Sequence, residues 1–156
     1  MPPTFDVYVW VNASDQVAAL SRFIDRYVDA EQPGDPRFHA FVRMFISDDP
    51  APGDAEALTE LRRDHSAEAA FSLYLRAKAH AGAIVTLTEE GAVVLGLSLD
   101  DPENAPQTIQ TASALMASLI AEFEAQSGVA GVELPPPQSK PEWTNDAIVL
   151  LREGTI

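Results

Sequence analysis

The sequence predicts an α+β protein: a mixed or mainly antiparallel sheet of about five to six strands, with three helices packed on one face. Two observations carry this prediction. Segments with the two-residue alternation of strands recur along the chain, and segments with helical spacing separate them. A chain of 156 residues also suits one domain that buries a core without disulfides, so residues 1–156 are expected to form a single globular unit.

The first two elements have the clearest periodicity. Residues 5–12, FDVYVWVN, alternate between two faces, which predicts a strand. One face carries Phe5, Val7, Val9 and Val11, and the other carries Asp6, Tyr8, Trp10 and Asn12. Apolar side chains at helical spacing over residues 17–28 then predict an amphipathic helix with Ser14 as its N-cap.

The next segments are predicted from weaker patterns. Residues 37–46, RFHAFVRMFI, are predicted to form a second strand, although their aromatic side chains occupy both phases of the alternation. A short helix is expected to begin near Asp54, because acids in its first turn complement the positive end of the helix dipole. Residues 71–75 alternate again and are predicted to form a third strand.

A hairpin and a long helix follow. Residues 83–88 and 92–99 are predicted to be the arms of the hairpin, and residues 89–91, Glu-Glu-Gly, its turn. Glycine suits the positive φ that such a turn requires. Helical spacing from about residue 108 to 126 predicts the longest helix, with Gly128 placed to end it.

The C-terminal part is predicted to be a connector followed by a strand. Residues 134–142 contain three consecutive prolines and cannot continue a helix, so they are expected to be extended. Residues 146–154 are expected to return as a final or edge strand.

The net charge of the protein limits the classes of partner that it is expected to bind. Twenty-four acids against ten bases give a net charge of -14 and a pI near 4.3, which repels nucleic acid and anionic membranes. We therefore expect no nucleic-acid and no membrane partner. The acidity is explained either by the protein's environment or by a basic partner that it steers. Cysteine is absent, which is compatible with a cytoplasmic location.

No motif predicts a reaction, a metal site or a cofactor. Asp100 and Asp101 are neighbours, and successive side chains of a strand point to opposite faces, so a turn role is expected for Asp101. The three histidines lack metal-binding spacing, and no glycine-rich phosphate loop occurs. The prediction therefore leans against an enzyme, with no catalytic, cofactor-binding or metal-binding residue.

The sheet face opposite the predicted helices is the most informative feature. Tyr8, Trp10, Tyr74 and Arg76 are expected there, and these residue types are enriched at interface hot spots. Three interpretations remain open: the face binds a partner, it closes a homodimer, or the C-terminal segment with Trp143 covers it.

The leading hypothesis is a non-enzymatic, acidic protein-binding module, an immunity- or antitoxin-type inhibitor of a basic toxin or effector. Tyr8, Trp10, Tyr74 and Arg76 would anchor the partner. Four acids would steer it: Asp48, Asp49, Glu89 and Glu90. One alternative is a small enzyme or a binder of an anionic small ligand with a site on the sheet face, because arginine suits carboxylate and phosphate. Another is a housekeeping homodimer, in which Trp10 would be buried against its own copy.

Overall fold

The computed structural model describes residues 3–12, 15–61, 70–101 and 106–156. It confirms the α+β class and shows one antiparallel sheet of six strands in the order β2-β3-β4-β1-β5-β6. The strands are β1 (Thr4–Val11), β2 (Phe71–Leu75), β3 (Gly82–Leu87), β4 (Val93–Asp100), β5 (Ser127–Val132) and β6 (Leu151–Gly154). The helices are α1 (Gln16–Tyr27), α2 (Phe38–Phe45), α3 (Asp54–Thr59), α4 (Pro106–Phe123) and α5 (Lys140–Thr144).

Strand β1 lies inside the sheet and is buried on both faces. It pairs with β4 on one side and with β5 on the other, so that Val7 lies opposite Leu97 and Ala130. Every residue of β1 after Thr4 is buried. The alternation in this strand therefore separates two buried faces rather than a buried face from a solvated one.

The two faces of the sheet carry separate apolar clusters. The larger one joins Phe5, Val7, Val9 and Val11 of β1 to side chains of helices α1 to α4, among them Phe23, Phe41, Leu58 and Met116. The smaller one contains Tyr8, Trp10, Ile84, Ala92, Val94, Val129, Leu134 and Trp143. Trp143 belongs to α5, so the prediction of three helices on one face omits a helix that packs on the other.

Residues 37–46 do not form the predicted strand: α2 occupies Phe38–Phe45. Phe38, Phe41 and Phe45 stand three and four residues apart, which places them on one side of a helix. The Phe41 ring lies 5.3 Å from Phe45 and 6.2 Å from Phe71, centroid to centroid. Packing of these rings against the sheet therefore favours the helix over the alternation that the sequence also allows.

Gly128 does not end the long helix as predicted. Helix α4 ends at Phe123, followed by Glu124 with a φ of 50°, and Gly128 lies in β5, a strand that the sequence analysis missed. A Cβ atom at Gly128 would lie 2.5 Å from Cγ of Met116. The glycine thus lets α4 approach the sheet closely, which explains a glycine inside a strand.

Local turn chemistry agrees with the prediction in the hairpin and differs at α1. Strands β3 and β4 form the expected hairpin, and Gly91 in its turn has a φ of 82°. The predicted cap Ser14 lies outside the described residues. The carboxylate of Asp15 caps α1 by accepting a 3.0 Å hydrogen bond from the backbone N–H of Ala18.

Candidate functional site

The C-terminal segment covers the sheet face that bears Tyr8 and Trp10. Both residues are 1% exposed, and the rings of Trp10 and Trp143 meet edge to face at 5.3 Å. The indole N–H of Trp143 donates to Oγ of Ser127 at 3.2 Å. Tyr8 and Trp10 are therefore covered by the C-terminal segment of their own chain, which is one of the three interpretations left open for this face. Tyr8 and Trp10 are core residues in this fold, so neither is available as a surface anchor, and Trp10 packs against its own chain.

Hydrogen bonds fasten the proline-rich segment to the sheet. The Tyr8 hydroxyl donates to the carbonyl of Leu134 at 2.5 Å. The amide of Gln138 donates to Oγ of Ser72 at 2.9 Å, and that hydroxyl is bonded to Oγ1 of Thr86 at 2.8 Å. Because these groups are buried, leaving any of them unpaired would be costly. Leu134 and residues 136–139 are buried against the sheet, and the predicted extended connector, residues 134–142, ends in a helix because α5 begins at Lys140.

The other two predicted anchors lie apart from Trp10. Tyr74 is 60% exposed on edge strand β2. Arg76 follows β2 and is exposed, with its guanidinium donating to the side-chain oxygen of Gln32 at 3.1 Å. Its backbone N–H donates to the carbonyl of Pro33 at 2.8 Å. The structure therefore does not join the four predicted anchors into one open aromatic surface.

A hollow of about 460 Å³ remains on this side of the sheet. Its polar lining consists of Thr4, Asp6, Tyr8, Tyr74, Ser98 and Glu133. The carboxylate of Asp6 accepts hydrogen bonds from Ser98 Oγ at 2.6 Å and Thr4 Oγ1 at 3.0 Å, while burial raises the pKa of Asp6. Carboxylates repel an anion, so this hollow does not suit the anionic ligand considered above.

A larger apolar groove of about 680 Å³ lies on the helical side of the sheet. Its apolar lining comes from α1, the end of α2, α3 and the strands: Val17, Leu20, Met44, Phe45, Ile46, Ala55, Leu58, Phe71 and Leu87. Val17 is 47% exposed, and Met44, Phe45 and Ile46 are half-buried. The volume is in the range of small-molecule binding pockets.

One of the four predicted steering acids lines this groove, and each of the other three is next to a lining residue in the chain. Asp48 lines it, and Glu89 and Glu90 stand in the chain between two lining residues, Thr88 and Gly91. All four acids, Asp48, Asp49, Glu89 and Glu90, are exposed. The two loops that carry these acids therefore both contribute residues to the groove, although they are far apart in sequence.

Two local structures position these acids. The side-chain amide of Gln16 at the start of α1 donates to the carbonyl of Gly91 at 2.6 Å, which holds the hairpin turn against the helix. Asp48 follows α2 with a φ of 50°, and the N–H of Asp49 donates to the carbonyl of Arg43 at 2.9 Å. Aspartate tolerates this left-handed conformation better than most residues, and the conformation ends the helix.

The four acids differ in their contacts. The Glu90 carboxylate accepts the backbone N–H of Lys140 at the start of α5, with distances of 3.1 and 3.2 Å. Within the described part of the chain, Asp48, Asp49 and Glu89 make no ion pair.

An ion pair between a half-exposed arginine and a buried aspartate joins two walls of the groove. The guanidinium of Arg43 on α2 donates to both carboxylate oxygens of Asp54 on α3, at 2.9 and 2.8 Å. The hydrogen bonds from Arg43, and one from the N–H of Ala51 at 2.7 Å, lower the pKa of Asp54 to about 2. Arg43 is therefore occupied in joining the helices and does not serve as an anion-binding residue.

The two acids at the end of β4 have different surroundings, and the turn predicted after Asp101 falls on residues 102–105, outside the described residues. Asp101 is buried and accepts a hydrogen bond from Oγ1 of Thr108 in the first turn of α4 at 2.9 Å, whereas Asp100 is exposed. The two carboxylates do not share an environment, which argues against a catalytic pair.

Sequence reasoning missed the groove because two of its walls were not recognisable. One wall is α2, which was predicted as a strand, and the other is the approach of the hairpin turn to α1. The helical spacing of Phe38, Phe41 and Phe45 was the signal that could have identified the first wall.

Neither a metal site nor a membrane-spanning helix is found in the described ranges. No group of three or more histidine, aspartate or glutamate side chains there is placed to hold a metal ion. No helix in those ranges has the length and apolar character needed to cross a bilayer. Comparison of the chain with protein-family models, with curated proteins and with solved structures finds no significant match.

Proposed function

We propose that this protein is a cytoplasmic, non-enzymatic binding module that inhibits a basic protein, such as a toxin or effector, by docking it in the apolar groove. The observation that carries the proposal is the combination of a partly exposed apolar lining with exposed carboxylates in and next to it. Apolar side chains supply affinity at the centre of an interface, and charges at its rim supply speed and selectivity.

The net charge supports the choice of a basic partner. A charge of -14 on a small domain attracts cations over a Debye length, which is about 8 Å at physiological salt. The acids beside the groove would turn that general attraction into an oriented approach. In this proposal the partner contacts Asp48, Asp49 and Glu89 and not the face bearing Trp10, which the C-terminal segment covers.

The proposal predicts that neutralising the acids at the groove slows association. Proteins captured from a lysate of the source organism would be purified, and their association rates measured at low and high salt. The triple variant Asp48→Asn, Asp49→Asn, Glu89→Gln should reduce the low-salt rate by about tenfold. The difference should shrink at high salt, because screening weakens steering.

A second triple variant controls for net charge. Glu31→Gln, Asp100→Asn and Glu153→Gln also remove three negative charges, from exposed residues that do not line the groove. This variant should retain most of the association rate. Equal slowing by both variants would mean that only total charge matters. If no captured protein associates at a rate sensitive to the acids at the groove, the proposal is wrong.

A further inference from the structure

We infer that the groove receives a basic amphipathic α-helix of the partner, with its apolar ridge on the groove lining and its lysines or arginines toward the acids. The inference rests on the proposed function and specifies the form of the partner at the same site. It follows from the elements that build the groove, from its apolar lining and from its charge.

The walls favour a helix over an added strand. Strand addition requires a row of unpaired backbone N–H and C=O groups. Much of this groove is made by helices α1, α2 and α3, whose backbone groups bond mainly within each helix. Phe71 and Leu87 line it from β2 and β3 and pair with each other, while the unpaired edge of β2 lies on the side away from β3. The groove therefore offers mainly side chains, and a helix docks through side chains alone.

The lining suits an adaptable apolar ridge. Val17 on α1 and Met44 and Phe45 on α2 are partly exposed and stand on different walls. A docked helix presents residues at i, i+3, i+4 and i+7 to such a lining. Methionine is flexible and polarisable, so it adjusts to the partner's side chains.

The acids near the groove determine which charge the polar flanks of the docked helix should carry. Asp48 and the Glu89 turn come from different elements, α2's end and the β3–β4 connection, and both adjoin the lining. A helix seated on the lining would place its polar flanks near these carboxylates. Basic flanks gain from the contact, whereas acidic flanks would be repelled.

Synthetic peptides test the inference without the native partner. The probe is a leucine/lysine peptide of about five helical turns with leucine at i, i+3, i+4 and i+7. One control peptide has the same composition arranged in two-residue alternation, and another replaces lysine with glutamate. We expect the helical lysine peptide to bind one to one, at least about tenfold more tightly than either control, and to become helical by circular dichroism.

Two protein variants locate the binding. Val17→Lys places a cation in the groove, and Ile109→Lys makes the same change at a similarly exposed apolar residue of α4 outside it. Both positions are exposed, 47% and 43%, so both variants should fold. Val17→Lys should weaken the peptide about tenfold, and Ile109→Lys should leave it nearly unchanged. Equal weakening by the two variants would indicate nonspecific attraction and would overturn the inference.

The remaining outcomes separate the inference from the proposed function. If Val17→Lys abolishes binding of the captured basic protein but the helical peptide binds no better than its alternating isomer, the helix is wrong and the inhibitor proposal stands. If the peptide results are as expected but no basic protein depends on the groove acids, the proposed function fails instead. A dimer in sedimentation that Val17→Lys dissociates would make a second copy the occupant and would overturn the inference.

Discussion

Replacing Trp143 with alanine should detach the C-terminal segment from the sheet. The Trp143 side chain is 1% exposed, and a buried tryptophan removes about 150–250 Å² from water. At about 25 cal/mol per Å² this corresponds to about 4–6 kcal/mol, and measured truncations of large core aromatics cost about 3–5 kcal/mol. We therefore expect a loss of about 4 kcal/mol in the free energy of unfolding. For a chain of this size that lowers Tm by about 8–16 °C.

Urea unfolding and intrinsic fluorescence measure the two consequences. The protein contains two tryptophans, so Trp143→Ala leaves Trp10 as the single reporter, and its emission should shift to longer wavelength as water reaches it. Trp143→Phe keeps a ring against Trp10 and loses the bond to Ser127, so it should cost far less and leave the emission at short wavelength. An alanine variant within about 1 kcal/mol of the parent, with unshifted Trp10 emission, would refute the anchoring role.

Two further predictions concern other parts of the core. Gly96→Ala should lower the free energy of unfolding by about 1–3 kcal/mol in urea titration, because the new Cβ would lie 2.5 Å from Cδ1 of Tyr8. The hydrogen bond of the Tyr8 hydroxyl limits movement of the ring. A change below about 0.5 kcal/mol would mean that the ring moves aside. The ion pair of Asp54 with Arg43 should account for part of the decrease in the free energy of unfolding at low pH. The pKa of Asp54 falls from 3.8 to about 2 on folding, so its contribution is present above pH 4 and is lost as the pH falls toward 2. Asp54→Asn should flatten that part of a stability-versus-pH curve, and an unchanged slope would contradict the assignment.

Periodicity identified the elements whose spacing allowed only one interpretation. Residues 5–12 alternate without exception, and the hairpin has a glycine at the position that needs a positive φ, so β1 and the β3–β4 hairpin were predicted correctly. Residues 37–46 satisfied two periods at once, because Phe38 belongs both to an alternating set and to a helical set with Phe41. Only the contacts with Phe71 decide between them, and such tertiary contacts are not readable from local spacing.

The missed strand and the covered face have a related explanation. Residues 127–132 contain two glycines, which lower strand propensity, and Gly128 is explained by the nearness of Met116. Tryptophan is typical of interface anchors, but Trp10 is a buried core residue. Its partner Trp143 lies far away in the chain, so the burial could not be predicted from local sequence. The acids could be named from sequence, but the position of Asp48 in the groove depended on α2 being a helix.

The central position of β1 has a consequence for biosynthesis. Its pairing with β4 and β5 means that β1 leaves the ribosome well before either neighbour exists. With about 80 residues between β1 and β4, translation at about 5–20 residues per second leaves the apolar strand unpaired for roughly 4–16 s. Pairings that span such long loops also close slowly. Strand β1 is thus synthesised early but paired late. Translation speed and chaperone access during that interval should influence the fraction of chains that form the native sheet.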